Sequence, residues 1–113
     1  MEELLCRAVT KLVLPAIRAY VAQNLSKEHH YTQSKIADKI GIVQVGVGKY
    51  LGKKYSEEVG EVVEFIGENE LGTEIVDGIL QGDNLKETEK KIDKLCNDSE
   101  LLDFAVGRMA AYN

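Results

Sequence analysis

Residues 32–51 constrain the fold of this chain more than any other segment, because small and apolar residues stand there at fixed spacings. Ile36 and Ala37 place an apolar residue beside a small one, as two helices that cross at close range require. Gly41 follows four positions later, where a tight turn needs a residue that tolerates positive φ. Thr32 stands where a helix N-cap is expected. The pattern predicts two short helices joined by a tight turn, with inward positions at Ile36, Ile40, Ile42 and Val47.

The stretch IGIVQVGVGKYLGKKY, residues 40–55, is rich in glycine and β-branched residues, so a phosphate loop and a strand are alternatives to a helix there. Gly41 and Gly46 have the spacing of a Walker loop, but Val47 stands where its lysine belongs. A dinucleotide-binding loop fails because Leu51 replaces its third glycine. A strand is disfavoured because the preceding turn calls for a second helix. A helix is therefore the preferred structure.

The rest of the chain also carries helical patterns. Apolar residues recur every three or four positions from Leu4 to Leu25, which predicts a largely buried helix. Pro15 predicts a kink in it or a new helix starting at the proline, and the polar residues 24–31 predict a turn. Ser56 is the expected N-cap of the following helix. Further helices are expected at residues 57–68, 70–82, 84–96 and 99–112, so the fold class is all-α with about seven helices.

Charge is divided unevenly along the 113 residues. Residues 1–55 contain nine lysines and arginines against four acidic residues, whereas residues 56–113 contain five against fifteen. A basic surface attracts a polyanion and an acidic surface is repelled by it. If the chain binds nucleic acid, residues 1–55 should bind it, and the acidic residues 56–113 should form a dimer interface or face a protein partner.

The segment LVLPAIRAYVAQNLSKEHHYTQSKIADKIGIVQVGVGKYLGKK, residues 12–54, resembles archaeal helix-turn-helix regulators of the XRE/Cro-repressor class. Such proteins occur as small stand-alone chains and as a domain ahead of a thiamine-phosphate synthase domain. The likeness is good over residues 4–55 and weak in the acidic half. It implies a DNA-binding transcriptional regulator, usually a homodimer, with a helix-turn-helix DNA-binding region at residues 1–55 and an acidic helical region at residues 56–113.

The base-facing side chains of a helix-turn-helix unit come from the first turn of its second helix and from one turn later. Gln44 is the expected reader of adenine N6 and N7, and Val43 and Val45 are placed to touch thymine methyl groups. Val43 and Gly48 depart from the family, in which polar residues are usual at both positions. Gln33 and the lysines are expected on phosphates. The expected DNA-contacting residues are Gln33, Lys35, Val43, Gln44, Val45, Gly48, Lys49, Lys53 and Lys54.

Other classes of function find little support in the sequence. No catalytic set can be assembled, so neither an enzyme nor a bound cofactor or metal is expected, and the adjacent His29 and His30 are expected in a surface turn. No apolar run is long enough to span a bilayer. The N-terminus carries glutamates in place of the lysines of a signal peptide. The sequence predicts a cytoplasmic protein without membrane contact.

Two alternatives stay open. In the first, the chain is a protein-interaction module on a degenerate helix-turn-helix scaffold, whose reading residues have changed to valine and glycine. In the second, it is a redox-responsive regulator that uses Cys6 and Cys96, two cysteines without a CxxC partner. Cys6 stands where the family often has a cysteine, whereas the C-terminal cysteine pair of some members is reduced to Cys96.

Overall fold

Every regular element in residues 2–112, the part of the chain that the computed structural model describes, is helical. Side chains are described for residues 3–109. The all-α class predicted from the sequence is thus confirmed. The helices are α1 Glu2–Ala8, a π-helical segment Val9–Val13, α2 Leu14–His29, α3 Gln33–Ile40, α4 Gln44–Leu51, α5 Glu57–Glu68, α6 Thr73–Leu80, α7 Leu85–Cys96 and α8 Ser99–Tyr112.

The π-helical segment explains how a helix passes through Pro15. Proline has no N–H, and its ring clashes with the carbonyl group four residues back. Here the helix widens before the proline, and the N–H of Leu14 bonds to the carbonyl oxygen of Val9, five residues back. Pro15 becomes the second residue of α2. The predicted interruption therefore takes the form of a widened turn inside a continuous helical segment.

The end of α2 lies further along the chain than the sequence indicated. The turn predicted for residues 24–31 is wrong over most of its length, because α2 continues to His29. Leu25 is fully buried and holds this part of the helix against the core, so its polar neighbours occupy the solvent side. His30 ends the helix in a left-handed conformation, φ 59°, and its N–H bonds to the carbonyl oxygen of Ser26 at 3.2 Å.

Helix α2 lies at the centre of the molecule. It packs against α3, α4, α5, α6 and α7 as well as the π-helical segment. Ala16, Ala19 and Ala22 are fully buried along it, and their small side chains let the neighbouring helices approach closely. The core around α2 joins both halves of the chain, since it includes Ile36 and Val47 as well as the later residues Val62, Ile79 and Leu101.

Helices α3 and α4 form the pair of short helices predicted around Gly41. The hydroxyl of Thr32 accepts a hydrogen bond from the N–H of Lys35 at 3.1 Å, so Thr32 is the N-cap of α3. Gly41 has φ 72° and ends α3, and its N–H bonds to the carbonyl oxygen of Ala37. Ile36, Ile40 and Val47 are buried as predicted, whereas Ile42 is half-buried at the edge of the core.

The acidic half begins as the sequence predicted. The hydroxyl of Ser56 accepts a hydrogen bond from the N–H of Val59 and caps α5. Helix α7 starts with a capping box that joins Asn84 and Glu87. None of the helices in residues 2–112 has the length and apolar character that crossing a membrane requires.

Two glycine substitutions should have opposite effects on stability. Gly41→Ala forces an alanine into a left-handed turn, 2.9 Å from a methyl group of Leu85, and should lower the free energy of unfolding by about 1–2 kcal/mol. Gly46→Ala places its Cβ in ordinary contact with Ile42 and Val43 and should raise it by about 1 kcal/mol. Urea unfolding followed by circular dichroism measures both, and shifts of the same sign would contradict this geometry.

Candidate nucleic-acid interface

The first turn of α4 presents an apolar surface to solvent. Val43 and Val45 are 74% and 72% exposed, which makes them the most exposed large hydrophobic residues among the described side chains. Gln44 between them is also exposed and forms no side-chain hydrogen bond within residues 3–109. Val47 lies one turn after Val43 and is fully buried. Helix α4 is therefore anchored by Val47 and shows Val43, Gln44 and Val45 to solvent.

The N-terminus of α4 has no side-chain cap. Val43 stands at the N-cap position with the extended geometry of such a residue, φ −73° and ψ 151°, but it has no side-chain acceptor. The first N–H groups of α4 therefore lack the acceptor that Thr32 supplies to α3. Gly46 and Gly48 in the following turn lower helix propensity further. The first turn of α4 is consequently weak in local interactions, and its position depends on packing of Val47.

Gln33, at the start of α3, lies beside the middle of α4. A Cβ placed on Gly48 would be 3.6 Å from the side-chain oxygen of Gln33. An alanine at this position would therefore make only an ordinary contact with the glutamine side chain. Of the predicted DNA-contacting residues, Gln33 and Gly48 are thus brought together.

The four predicted lysines lie in α4, directly after it, and near the start of α3. Lys49, Lys53 and Lys54 are exposed, and no acidic residue occurs between Asp38 and Glu57. Lys53 and Lys54 follow α4 in a tight turn, in which the N–H of Lys54 bonds to the carbonyl oxygen of Lys49 at 2.9 Å. Lys35 is exposed near the start of α3, with its ammonium group 4.1 Å from the ring centroid of Tyr31.

Lys53 lies at the border between the basic and the acidic surfaces. It has a left-handed backbone, φ 55°, and lines a shallow depression shared with Glu57, Glu61 and Glu64 of α5. The carboxylates on α5 therefore reduce the positive potential around Lys53. Lys49 and Lys54 do not line this depression, so they are the better placed of the three to meet a polyanion.

Gln23 fixes the end of α4 and was not identified from the sequence. Its side-chain amide donates hydrogen bonds to the carbonyl oxygen of Tyr50 and to the hydroxyl of Tyr55, both at 2.9 Å. One half-buried side chain on α2 thus holds the last turn of α4 together with the segment that carries Lys53 and Lys54. The sequence could have identified Gln23, since it continues the inward spacing of Ala16 and Ala19, and a polar side chain at a buried position needs a hydrogen-bond partner.

The two cysteines are free thiols in different environments. Cys6 is exposed on α1, and Cys96 is half-buried at the end of α7. Burial raises the pKa of the Cys96 thiol, and the nearby carboxylate of Asp93 raises it further against the opposing effect of Arg18. A thiol with a raised pKa is a weak nucleophile at neutral pH. Within the described residues no cluster of histidine, cysteine and acidic side chains could hold a metal ion.

Acidic residues of the second half are partly neutralised within the fold. Ion pairs join Asp83 to Lys91, Glu74 to Lys94 and Glu61 to Arg108. The rings of Phe65 and Phe104 stack between α5 and α8 with their centroids 4.3 Å apart, and the guanidinium of Arg108 lies 5.4 Å from the Phe104 centroid. These contacts fix α5 to α8, while many other carboxylates remain exposed.

The role of Gln23 can be measured by stability. Gln23→Leu removes two hydrogen bonds and leaves the Tyr50 carbonyl group without this partner, so the free energy of unfolding should fall by about 1–3 kcal/mol. Tyr55→Phe removes only one of the two bonds and should cost less, about 1 kcal/mol. Urea unfolding of both variants tests this order. A Gln23→Leu variant as stable as the original chain would contradict it.

Comparison of the chain with family models, with curated protein sequences and with solved structures gave no match.

Proposed function

We propose that this chain is a sequence-specific, dimeric DNA-binding transcriptional regulator, with α3 and α4 acting as a helix-turn-helix unit and α4 reading the major groove. The observation that carries the proposal is the exposed first turn of α4. It presents Val43, Gln44 and Val45 to solvent while Val47 anchors the helix. Lys49 lies in the last turn of α4 and Lys53 and Lys54 follow it, and the chain from residue 39 to residue 56 has no acidic residue.

The roles proposed for the polar residues follow from the dimensions of B-form DNA. The major groove admits an α-helix, and a glutamine can form two hydrogen bonds with adenine, which makes Gln44 the base-reading residue. Gln33 begins α3 and lies beside Gly48, so a phosphate near the start of α3 would fix the position of α4 in the groove.

Lys49 and Lys54 are proposed to neutralise phosphates. Each neutralised phosphate releases condensed counterions, so affinity should fall as salt concentration rises. Lys53 is expected to contribute less, because it shares its depression with the carboxylates of α5. Gln23 would act through α4, as a positioning residue, by holding Tyr50 and Tyr55.

The acidic half is proposed to lie away from DNA and to form the dimer interface or to face a protein partner. Carboxylates on α5 to α8 would be repelled by the phosphate backbone. A twofold arrangement of two chains would place their α4 helices on half-sites about 34–36 Å apart, one turn of the duplex.

A second candidate function is a protein-interaction module, in which α3 and α4 serve only as packing scaffold. The missing cap at Val43 and the two glycines of α4 favour it, because they weaken the element that would read DNA. The module would bind no duplex preferentially at any salt concentration, whereas the regulator would.

Charge variants should separate phosphate contacts from other effects. The double variant Lys49→Gln/Lys54→Gln should bind any duplex less tightly. Its slope of log affinity against log salt should become shallower by about 2, since two phosphate contacts are lost. The matched control is Lys90→Gln, which removes an exposed lysine from α7 and should leave the slope unchanged. Fluorescence anisotropy with a labelled duplex at several salt concentrations measures it. An unchanged slope in the double variant would contradict the phosphate roles.

A base-reading variant should change preference more than general affinity. Gln44→Ala removes the proposed contact with adenine and should lower affinity for the preferred site by about 1–3 kcal/mol, with little effect on unrelated duplexes. Selection of bound duplexes from a random pool first identifies that site. Equal losses on preferred and unrelated duplexes would contradict base reading by Gln44, and failure of the original chain to select any duplex would contradict DNA-binding regulation itself.

A further inference from the structure

The two exposed valines of α4 are unusual among the apolar residues of this chain. Their exposed fractions, 74% and 72%, are nearly twice those of Leu80 and Leu85, at 39% and 38%. Leu85 also lies over the turn at Gly41, whereas the exposed parts of Val43 and Val45 lie beside an exposed glutamine. Valine at an N-cap, moreover, stabilises a helix less than serine or threonine would. Two apolar side chains therefore occupy the most accessible part of the proposed reading surface at a cost in stability.

The chemistry of α4 restricts which bases it can distinguish. Guanine presents two acceptors in the major groove, which arginine or lysine reads best, and cytosine presents a donor that a carboxylate reads. The exposed first turn has neither a cation nor a carboxylate, since Lys49 is its nearest charged residue along α4. What remains is a glutamine, which suits adenine, and valine methyl groups, which suit the 5-methyl group of thymine.

A glycine in the same helix allows this contact. Valine side chains are short, so they reach the base edges only if the helix lies deep in the groove. Gly46, in the first turn of α4, has no side chain that would hold this turn away from the groove walls. A Cβ at Gly46 would meet only ordinary contacts, so the fold itself does not require glycine there.

From these features we infer that α4 selects its site through 5-methyl groups of pyrimidines. Val43 and Val45 contact thymine methyl groups on either side of the base pair that Gln44 reads, and 5-methylcytosine presents the same methyl group. The inference rests on the proposed function, since it assumes that α4 enters the major groove. The absence of acidic residues from 39 to 56 fits a nucleic-acid occupant of this apolar surface.

The direct test removes single methyl groups from DNA. A duplex selected by the full chain is resynthesised with deoxyuridine in place of one thymidine at a time, which deletes the 5-methyl group and keeps the base pairing. Affinity should fall about fourfold for each methyl group that a valine contacts. At the same positions, a C·G pair should bind more weakly than T·A, and 5-methylation of that cytosine should recover part of the loss.

Variants of the protein assign the effect to the valines. The double variant Val43→Ala/Val45→Ala should bind the thymine and uracil duplexes with equal affinity, because the side chains that contact the methyl groups are shortened. Val43→Ser supplies the missing N-cap, so it should unfold at no lower urea concentration while losing the methyl dependence at its own position. Leu80→Ala is the matched control, an exposed apolar residue on α6 whose loss should leave the methyl dependence unchanged.

The outcomes distinguish this inference from the proposed function. If the chain selects a duplex but binds its thymine and uracil forms equally at every position, methyl reading is overturned and DNA binding stands. If the double variant Val43→Ala/Val45→Ala keeps the full difference in affinity between thymine and uracil duplexes, the assignment to these valines is overturned. If no duplex is selected at all, the proposed function and methyl reading are both overturned.

Discussion

Packing of five helices around α2, from its start to Leu25, is the constraint on which the rest of this structure depends. Six of its sixteen residues are buried, and three of them are alanines that let neighbouring helices pack closely. The widened turn before Pro15 joins α2 to the preceding helical segment without a break, and buried residues on both sides of it, among them Leu12 and Leu25, belong to one core. Because α3, α4 and α5 all pack on α2, both the basic and the acidic surfaces take their positions from it.

The central helix also supplies the polar contact that matters most for the proposed interface. Gln23 connects α2 to the last turn of α4 and to Tyr55, so the basic segment after α4 is fixed by the core rather than by its own sequence. This arrangement compensates for the weak first turn of α4. The helix is held by Val47 near its middle and by Tyr50 near its end, while its N-terminus has no cap.

The features that could be predicted from the sequence are those set by local chemistry. Thr32, Gly41 and Ser56 act at the helix ends where their side chains or backbone freedom indicated, because capping depends on neighbours three or four residues away. The extension of α2 from Leu25 to His29 was not predicted, because residues 26–29 are polar and continue the helix without an apolar pattern. Helix α6 also starts later than predicted, at Thr73, and the residue before it, Gly72, packs against the ring of Tyr20, a contact between residues far apart in sequence.

Only part of the candidate site could be predicted, because some of its features depend on neighbouring residues and others on residues distant in sequence. Exposure of Val43, Gln44 and Val45 follows from their place at the start of the second helix of the motif. The bonds of Gln23 and the depression that Lys53 shares with α5 instead join residues far apart in sequence. Which residues contact DNA, and whether two chains associate, stay predictions. The side chains of the exposed turn, one glutamine and two valines, limit which bases it could contact.

The missing cap of α4 has a consequence for the energetics of any complex that this helix forms. Its first N–H groups lack a side-chain acceptor, so the start of the helix depends on the packing of Val47. A partner that contacts Val43 and Gln44 would hold this start in place as well. Ordering of the helix start and binding would then be one event, and part of the affinity would be used to complete the secondary structure of the protein.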